Sequence, residues 1–114
     1  MPVQTPSRHP PSAVDAVFRA LADPGRRALI ERIGGGEASV AELTAELGLS
    51  QPAVSQHLRT LREAGLVRVR ADGRHRRYAL EPARLALASA WLEHQGRFWD
   101  GALAALGRHL DGRH

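Results

Sequence analysis

The chain has 114 residues, 16 basic against 12 acidic side chains, a formal net charge of +4 and no cysteine. One domain of that length buries only about 65% of its unfolded surface, so a catalytic cleft beside a second working surface has little room and a partner subunit would stabilise the fold. The missing thiols exclude disulfides, thiolate nucleophiles and soft-metal sensing through sulfur apart from Met1, and no apolar run approaches the ~18 residues of a membrane span.

Residues 1 to 11 carry Pro2, Pro6, Pro10 and Pro11 and read as a disordered arm. The arm lacks the basic and apolar regions of a signal peptide, so the expected location is the cytoplasm. Ser12 with Asp15 forms a capping box that opens a first helix, whose apolar face is expected at Val14, Phe18, Leu21 and Ala22. Asp23-Pro24 stops that helix and starts a second, with Asp as N-cap and Pro in the first turn. The second helix turns Ala28, Leu29, Ile30 and Ile33 inward and ends at Gly34, Gly35 and Gly36. That glycine run is a helix stop rather than a phosphate loop, since neither a preceding strand nor a following Lys-Ser or Lys-Thr accompanies it.

Ser39 with Glu42 makes a second capping box, and Val40, Leu43 and Leu47 form the core stripe of a third helix closed by Gly48. Leu49 plugs the turn and Ser50 caps a fourth helix. There Val54, Leu58 and Leu61, at i, i+4 and i+7, face the core until Gly65. Leu66 to Ala71 and Arg74 to Leu80 alternate apolar and basic residues around Asp72-Gly73, a strong hairpin signal. Val67 and Val69 are expected inward, Arg68 and Arg70 outward. By parity Tyr78 faces with Arg74 and Arg76, so either the tyrosine packs inward with their stems or the pleat is interrupted. From Glu81-Pro82 the chain is helical to about Leu110, with the start and Gly96, Gly101 and Gly107 as places where it could break; residues 111 to 114 should fray. The domain proper thus spans residues 12 to 110. The order is α-α-α-α-β-β-α, a mainly helical winged helix-turn-helix of about five helices.

Charge is concentrated on one unit. Residues 50 to 80 hold seven Arg against Glu63 and Asp72, a surplus of +5, whereas the rest of the chain sums to −1. A basic supersecondary unit of this kind fits a partner made of phosphates, namely double-stranded DNA. All the basic residues are Arg; a GC-rich genome favours that usage, and arginine also suits bidentate contacts to phosphate and guanine. Ser55, Gln56 and Arg59, with Gln51 at the helix start, are the candidates for base-edge contacts, because a helix in a groove presents side chains three and four positions apart. Ser50, Arg62, Arg68, Arg70, Arg74, Arg76 and Arg77 are candidates for the DNA backbone. Five like charges on two short strands repel one another, and phosphate would neutralise them. His57, beside the apolar stripe, reads as a half-buried packing residue that touches a phosphate.

The wording of the sequence resembles the ArsR family of bacterial winged-helix repressors. The matching strings are Phe18-Arg19-Ala20-Leu21-Ala22-Asp23-Pro24-Gly25-Arg26-Arg27, Ser50-Gln51-Pro52-Ala53-Val54-Ser55-Gln56-His57-Leu58, Leu61-Arg62-Glu63-Ala64-Gly65-Leu66-Val67 and Gly73-Arg74-His75-Arg76-Arg77-Tyr78. The resemblance implies a homodimer built on the first and last helices, the fourth helix in the major groove and the hairpin as wing. Many members of the family sense metals through a Cys pair in the third helix, which Ser39-Val40-Ala41-Glu42-Leu43 lacks. A second family site uses Asp and His early in the final helix with His and Glu later; Glu93, His94, Asp100, His109, Asp111 and His114 do not stand at those spacings. The chain therefore looks like the metal-independent branch, with no cofactor and no metal expected.

Leu85, Leu87, Trp91, Leu92, Phe98, Trp99, Leu103, Leu106 and Leu110 cover more than one face of the final helix, and the surplus wants a second chain. Val14, Phe18, Trp91, Phe98, Trp99, Leu103, Leu106 and Leu110 are the expected dimer contacts. The aromatics read as dimer core in preference to the lining of a pocket for an apolar effector, since no convergent polar group marks such a pocket. An enzyme is not expected, for want of a nucleophile and base pair, a metal triad or a cofactor loop. The function read from the sequence is an autoregulated repressor on an inverted-repeat operator. The competing reading is a winged helix used for protein contacts.

Overall fold

A computed structural model describes residues 12–111. The expected arm, residues 1 to 11, and residues 112 to 114 of the expected tail lie outside the described residues. The elements follow the order α1 (Ala13–Leu21), α2 (Pro24–Gly34), α3 (Val40–Leu47), α4 (Gln51–Glu63), β1 (Val67–Asp72), β2 (His75–Leu80) and α5 (Pro82–Asp111).

Local chemistry sets the helix starts. Ser12 and Ser39 each accept a hydrogen bond from the backbone N–H three residues on, and Asp15 and Glu42 each accept one from the cap N–H, completing both capping boxes. Asp23 accepts from Arg26 N–H at the start of α2, and Arg26 and Arg27 reach back to the carbonyls of Ala20 and Leu21. The orphan carbonyls at the end of α1 are thereby satisfied by the first turn of the next helix. Gly48 closes α3 at φ +67°, where any side chain would be strained.

The core gathers Val17, Ala20, Leu29, Ile33, Leu43, Val54, Leu58, Leu61, Leu66 and Val67 from the elements before α5. α1 is rotated from the expected setting: Val17 and Ala20 are buried, Val14 is half-buried and Ala22 is exposed as the C-cap. Burial of Val17 follows from its place between Phe18 and Ala20 on the side packed against α2 and α5. In the hairpin, Asp72 pairs with His75, so the two loop residues are Gly73 and Arg74 rather than Asp72 and Gly73. Gly73 has φ +63° and Arg74 does not share the positive φ, the pattern of a II′ turn.

The pleat is uninterrupted. Val69 faces Tyr78 and Ala71 faces Arg76, so Tyr78 is buried while Arg76, one pleat further out on the same face, hangs past the core. Ala38 adds a one-residue third strand, bonded to Tyr78 through N–H to O at 3.1 Å and O to N–H at 2.8 Å. α5 runs unbroken for 30 residues through all three of its glycines and includes Asp111, expected to fray. Its length stretches the chain to a radius of gyration of 19.7 Å, against about 13 Å for a compact domain of this size. No helix among the described residues is long and apolar enough to cross a membrane.

Candidate nucleic-acid interface

Burial of one stripe of α4 dictates what its other side presents. Val54, Leu58 and Leu61 are at most 1% exposed, which turns Gln51, Ser55, Gln56, Arg59 and Arg62 to the surface. Ser50, expected at the backbone, is exposed and uses its Oγ to accept Ala53 N–H at 3.2 Å as the N-cap.

β2 runs alongside this face. A cleft of about 580 Å³ between them is lined by Ser55, Leu58, Arg59, Arg62, Glu63, Arg76 and Tyr78. A neighbouring open cleft joins Gln51 to the start of α3 and to Arg74, His75 and Arg76. The fold thus brings together Gln51, Ser55, Arg59, Arg62, Arg74 and Arg76. Gln56 is exposed next to Ser55 but lines neither cleft. Arg59 Nε lies 3.9 Å from Glu63 Oε2, a loose pair on the helix surface worth little. Among the described residues no carboxylate pairs with Arg62, Arg74 or Arg76.

Arg68, Arg70 and Arg77 stand apart on the opposite face of the hairpin, and each has an acid. Arg68 Nη1 donates to Glu81 Oε2 at 3.1 Å, Arg70 Nη2 to Glu37 Oε1 at 2.7 Å and Arg77 Nη2 to Glu42 Oε1 at 3.3 Å. The expectation of five uncompensated charges on the strands is therefore corrected. Three carboxylates from outside residues 50 to 80 fold onto the unit, and the surplus of five falls to two. The Arg70 guanidinium holds the Glu37 carboxyl below its ordinary range, against an opposing push from desolvation. Hydrogen bonding from Ser39 N–H does the same for Glu42, with Arg77 helping. Sequence reasoning missed these acids because Glu37 lies 33 positions from Arg70. The mutual repulsion of the arginines was the signal that partners were needed.

His57 is half-buried, as expected of a packing residue, and sits where α4 meets α2. Its Nε2 lies 3.6 Å from Asp23 Oδ2, and a Cβ at Gly25 would come within 2.9 Å of that same nitrogen. The ring fills the space that glycine leaves and fixes α4 against the start of α2.

The expected dimer residues divide in two. Phe18 meets Trp91 edge-on at 5.5 Å between ring centroids, joining α1 to the first part of α5 within one chain. Beyond that pair Phe98, Trp99, Leu103 and Leu106 are 52–62% exposed, with Phe98 and Trp99 edge-on to one another at 5.3 Å. Leu110 belongs to α5, its side chain lying outside the described ones. Among the described residues no three His, Asp or Glu side chains gather closely enough to hold a metal.

A helix-turn-helix that ends in an exposed polar helix, with a basic hairpin closing over that helix, defines a DNA-binding winged-helix transcriptional regulator. The chain belongs to the arsR family of bacterial regulatory proteins: the profile of that family matches residues 23–69, from the cap of α2 into β1. It is 43% identical over 97 residues to the HTH-type transcriptional regulator Rv2034 of Mycobacterium tuberculosis, covering 85% of this chain and 88% of that one. It is also 42% identical over 83 residues to a probable mercury resistance operon repressor of Streptomyces lividans, covering 73% of this chain and 66% of that one. Among solved structures, an ArsR-like transcriptional regulator from Rhodococcus sp. RHA1 superposes with a TM-score of 0.72 at 34% identity, over 82% of this chain and 89% of the other. The family and the fold are those of regulators, not enzymes.

Proposed function

We propose that the protein is a cytoplasmic homodimer, joined through α1 and α5, that occupies an inverted-repeat operator near its own promoter and blocks RNA polymerase by occupancy. Gln51, Ser55, Gln56 and Arg59 read base edges in the major groove. Arg62, Arg74 and Arg76 neutralise phosphates and Ser50 contacts the DNA backbone through its hydroxyl, while Arg68, Arg70 and Arg77 keep their carboxylate partners. The observation that carries this reading is the cleft that unites Ser55, Arg59 and Arg62 of α4 with Arg76 of β2, because a reading helix and a phosphate-gripping wing must converge on one duplex. Selection of duplexes from a random-sequence pool tests it. The expected product is an inverted repeat with half-site centres roughly 10 to 11 base pairs apart, bound by two protomers.

The alternative, a winged helix that serves protein contacts, predicts no such enrichment. A gel shift that survives excess mixed-sequence competitor separates the two.

A further inference from the structure

The antiparallel register sets Arg70 directly opposite Arg77, so both guanidiniums rise from one face of the hairpin. Like charges in that position repel. Glu37 stands between them, on the segment that leads into the one-residue strand at Ala38. Its carboxylate takes Arg70 at two points, Nη2 to Oε1 at 2.7 Å and Nε to Oε2 at 3.4 Å. Arg77 Nε lies 3.7 Å from Glu37 Oε1, and its Nη2 also reaches the Glu37 carbonyl at 3.4 Å. The opposite face of the same hairpin is arranged otherwise, since Arg76 on the cleft has no carboxylate partner among the described residues.

Such an arrangement does little for folding. The Arg70 and Glu37 side chains are 54% and 36% exposed, and pairs so open to water stabilise a protein hardly at all. Its larger consequence falls on DNA. Affinity for any duplex draws on cations that displace counterions from phosphates, and phosphates are common to operator and random sequence. A carboxylate that occupies wing cations therefore lowers the grip on every duplex.

Resting on the operator reading above, we propose that Glu37 is a positioning residue that limits the wing's electrostatic grip on DNA. By holding Arg70 on the outer face of the wing, and Arg77 together with Glu42, it withholds cations from the phosphates and leaves the wing's grip to Arg74 and Arg76.

The test measures binding of wild type, Glu37→Gln, Arg70→Gln and the double variant to two duplexes across a salt series. One duplex is that selected by wild type from a random pool; the other is a scrambled duplex of the same composition. Glu37→Gln should bind both duplexes more tightly at low salt and steepen the plot of log affinity against log salt by about 0.9 for each phosphate a released arginine reaches. With one further phosphate neutralised per protomer in a dimer, its affinity should fall roughly tenfold more than that of wild type between about 50 and 200 mM salt. Arg70→Gln alone should leave the slope at the wild-type value, and the double variant should lose the part of the steepening that Arg70 supplies. A flatter slope for Arg70→Gln alone would show Arg70 already on a phosphate and overturn the proposal. An unchanged slope for Glu37→Gln, with or without an equal weakening on both duplexes, would reduce Glu37 to a prop and overturn it as well. If wild type prefers no selected duplex, the operator reading fails, while the Glu37→Gln slope on the scrambled duplex still decides the clamp.

Discussion

α4 and α5 dispose of their apolar side chains in opposite ways. α4 hides Val54, Leu58 and Leu61 completely and shows water mainly polar and charged groups. α5 buries little beyond Ala88 and leaves Leu87, Trp91, Leu92, Phe98, Trp99, Leu103 and Leu106 at least 46% exposed. A helix whose stripe is satisfied can offer its other face to a charged partner without weakening the fold. A helix with an unsatisfied stripe leaves area in water whose removal would be worth about 25 cal/mol per Å², which is what the proposed dimer would supply. The radius of gyration of 19.7 Å fits a long α5 that extends past its aromatic contact with α1 at Trp91. One end of the molecule presents polar and charged groups to water and the other presents unburied apolar ones.

The largest effect that tests this contrast is expected at α5. Trp99→Ala combined with Leu103→Ala should yield monomers or insoluble protein, at roughly 3–5 kcal/mol for each large aromatic whose interface burial is removed. Sedimentation velocity reads the outcome directly, and an unchanged dimer would remove α5 from the interface. Operator binding should fall with dimerisation, because a single protomer engages one half-site.

Changes on the α4 face should be smaller and should leave the dimer intact. Gln56→Ala and Arg59→Ala should each cost about 1–3 kcal/mol per half-site on the operator while affinity for mixed duplex falls less. Arg74→Ala and Arg76→Ala should weaken both complexes alike and flatten the salt dependence by about one unit for each phosphate no longer neutralised, doubled in a dimer. Helix variants that alter only the salt slope, with base preference kept, would show that reading of bases belongs to the wing or to the residues before Ser12.

What the sequence disclosed, and what it hid, follows the range of the interactions. Ser12 with Asp15 and Ser39 with Glu42 are capping boxes closed within four residues, Gly48 is a left-handed cap, and the hairpin closes within one residue of the expected turn. Each is decided by neighbours in the chain, so each was legible. The α4 stripe was legible for the same reason, and with it the identity of the exposed groups opposite. The acids that meet Arg70 and Arg77 arrive from 33 and 35 positions away, and a charge count over residues 50 to 80 could not contain them. His57 belongs with these cases, since its neighbours Asp23 and Gly25 become visible only once α2 and α4 are packed. The rotation of α1 onto Val17 and Ala20 is likewise settled by packing against α2 and α5. Three glycines in α5 each cost about 1 kcal/mol relative to Ala, yet the helix continues, which local propensity alone does not foretell.

A weaker, graded effect should appear with acid. Backbone hydrogen bonds at caps lower the titration of Asp15, Asp23 and Glu42, and the Arg70 pair lowers that of Glu37. A carboxylate held below its unfolded value contributes stability that is complete above that value and is lost as pH falls through the lower, folded one. Thermal stability should therefore be level from neutral pH down to about 4.5, the ordinary value for Glu, and decline below it. Ser39→Ala, which removes a hydroxyl bonded to Glu42 N–H, should lower the plateau by ~1 kcal/mol. A stability that instead improves on acidification through that range would contradict the assigned partners.

The smallest expected effect is that of metal ions, and it asks whether the two ends of the molecule communicate through a ligand of that kind. A metal could couple them only by binding where α5 moves relative to α4, and the side chains needed there are thiolates, imidazoles or carboxylates in a set of three or four. The sequence has no cysteine, and the described part of α5 carries Glu93, His94, Asp100 and His109 without gathering three such groups anywhere. Glu93 is turned to Arg97 one helical turn away, and His94 and His109 are separated by about four turns of one helix, too far apart to share an ion within a protomer. Zn, Ni or Cu at stoichiometric level should accordingly leave operator affinity within about threefold, less than ~1 kcal/mol of coupling between sites. Release of the operator by one of these ions, abolished by His94→Ala or His109→Ala, would require a site assembled between protomers. It would also turn the apolar end of α5 from a passive interface into the sensing element.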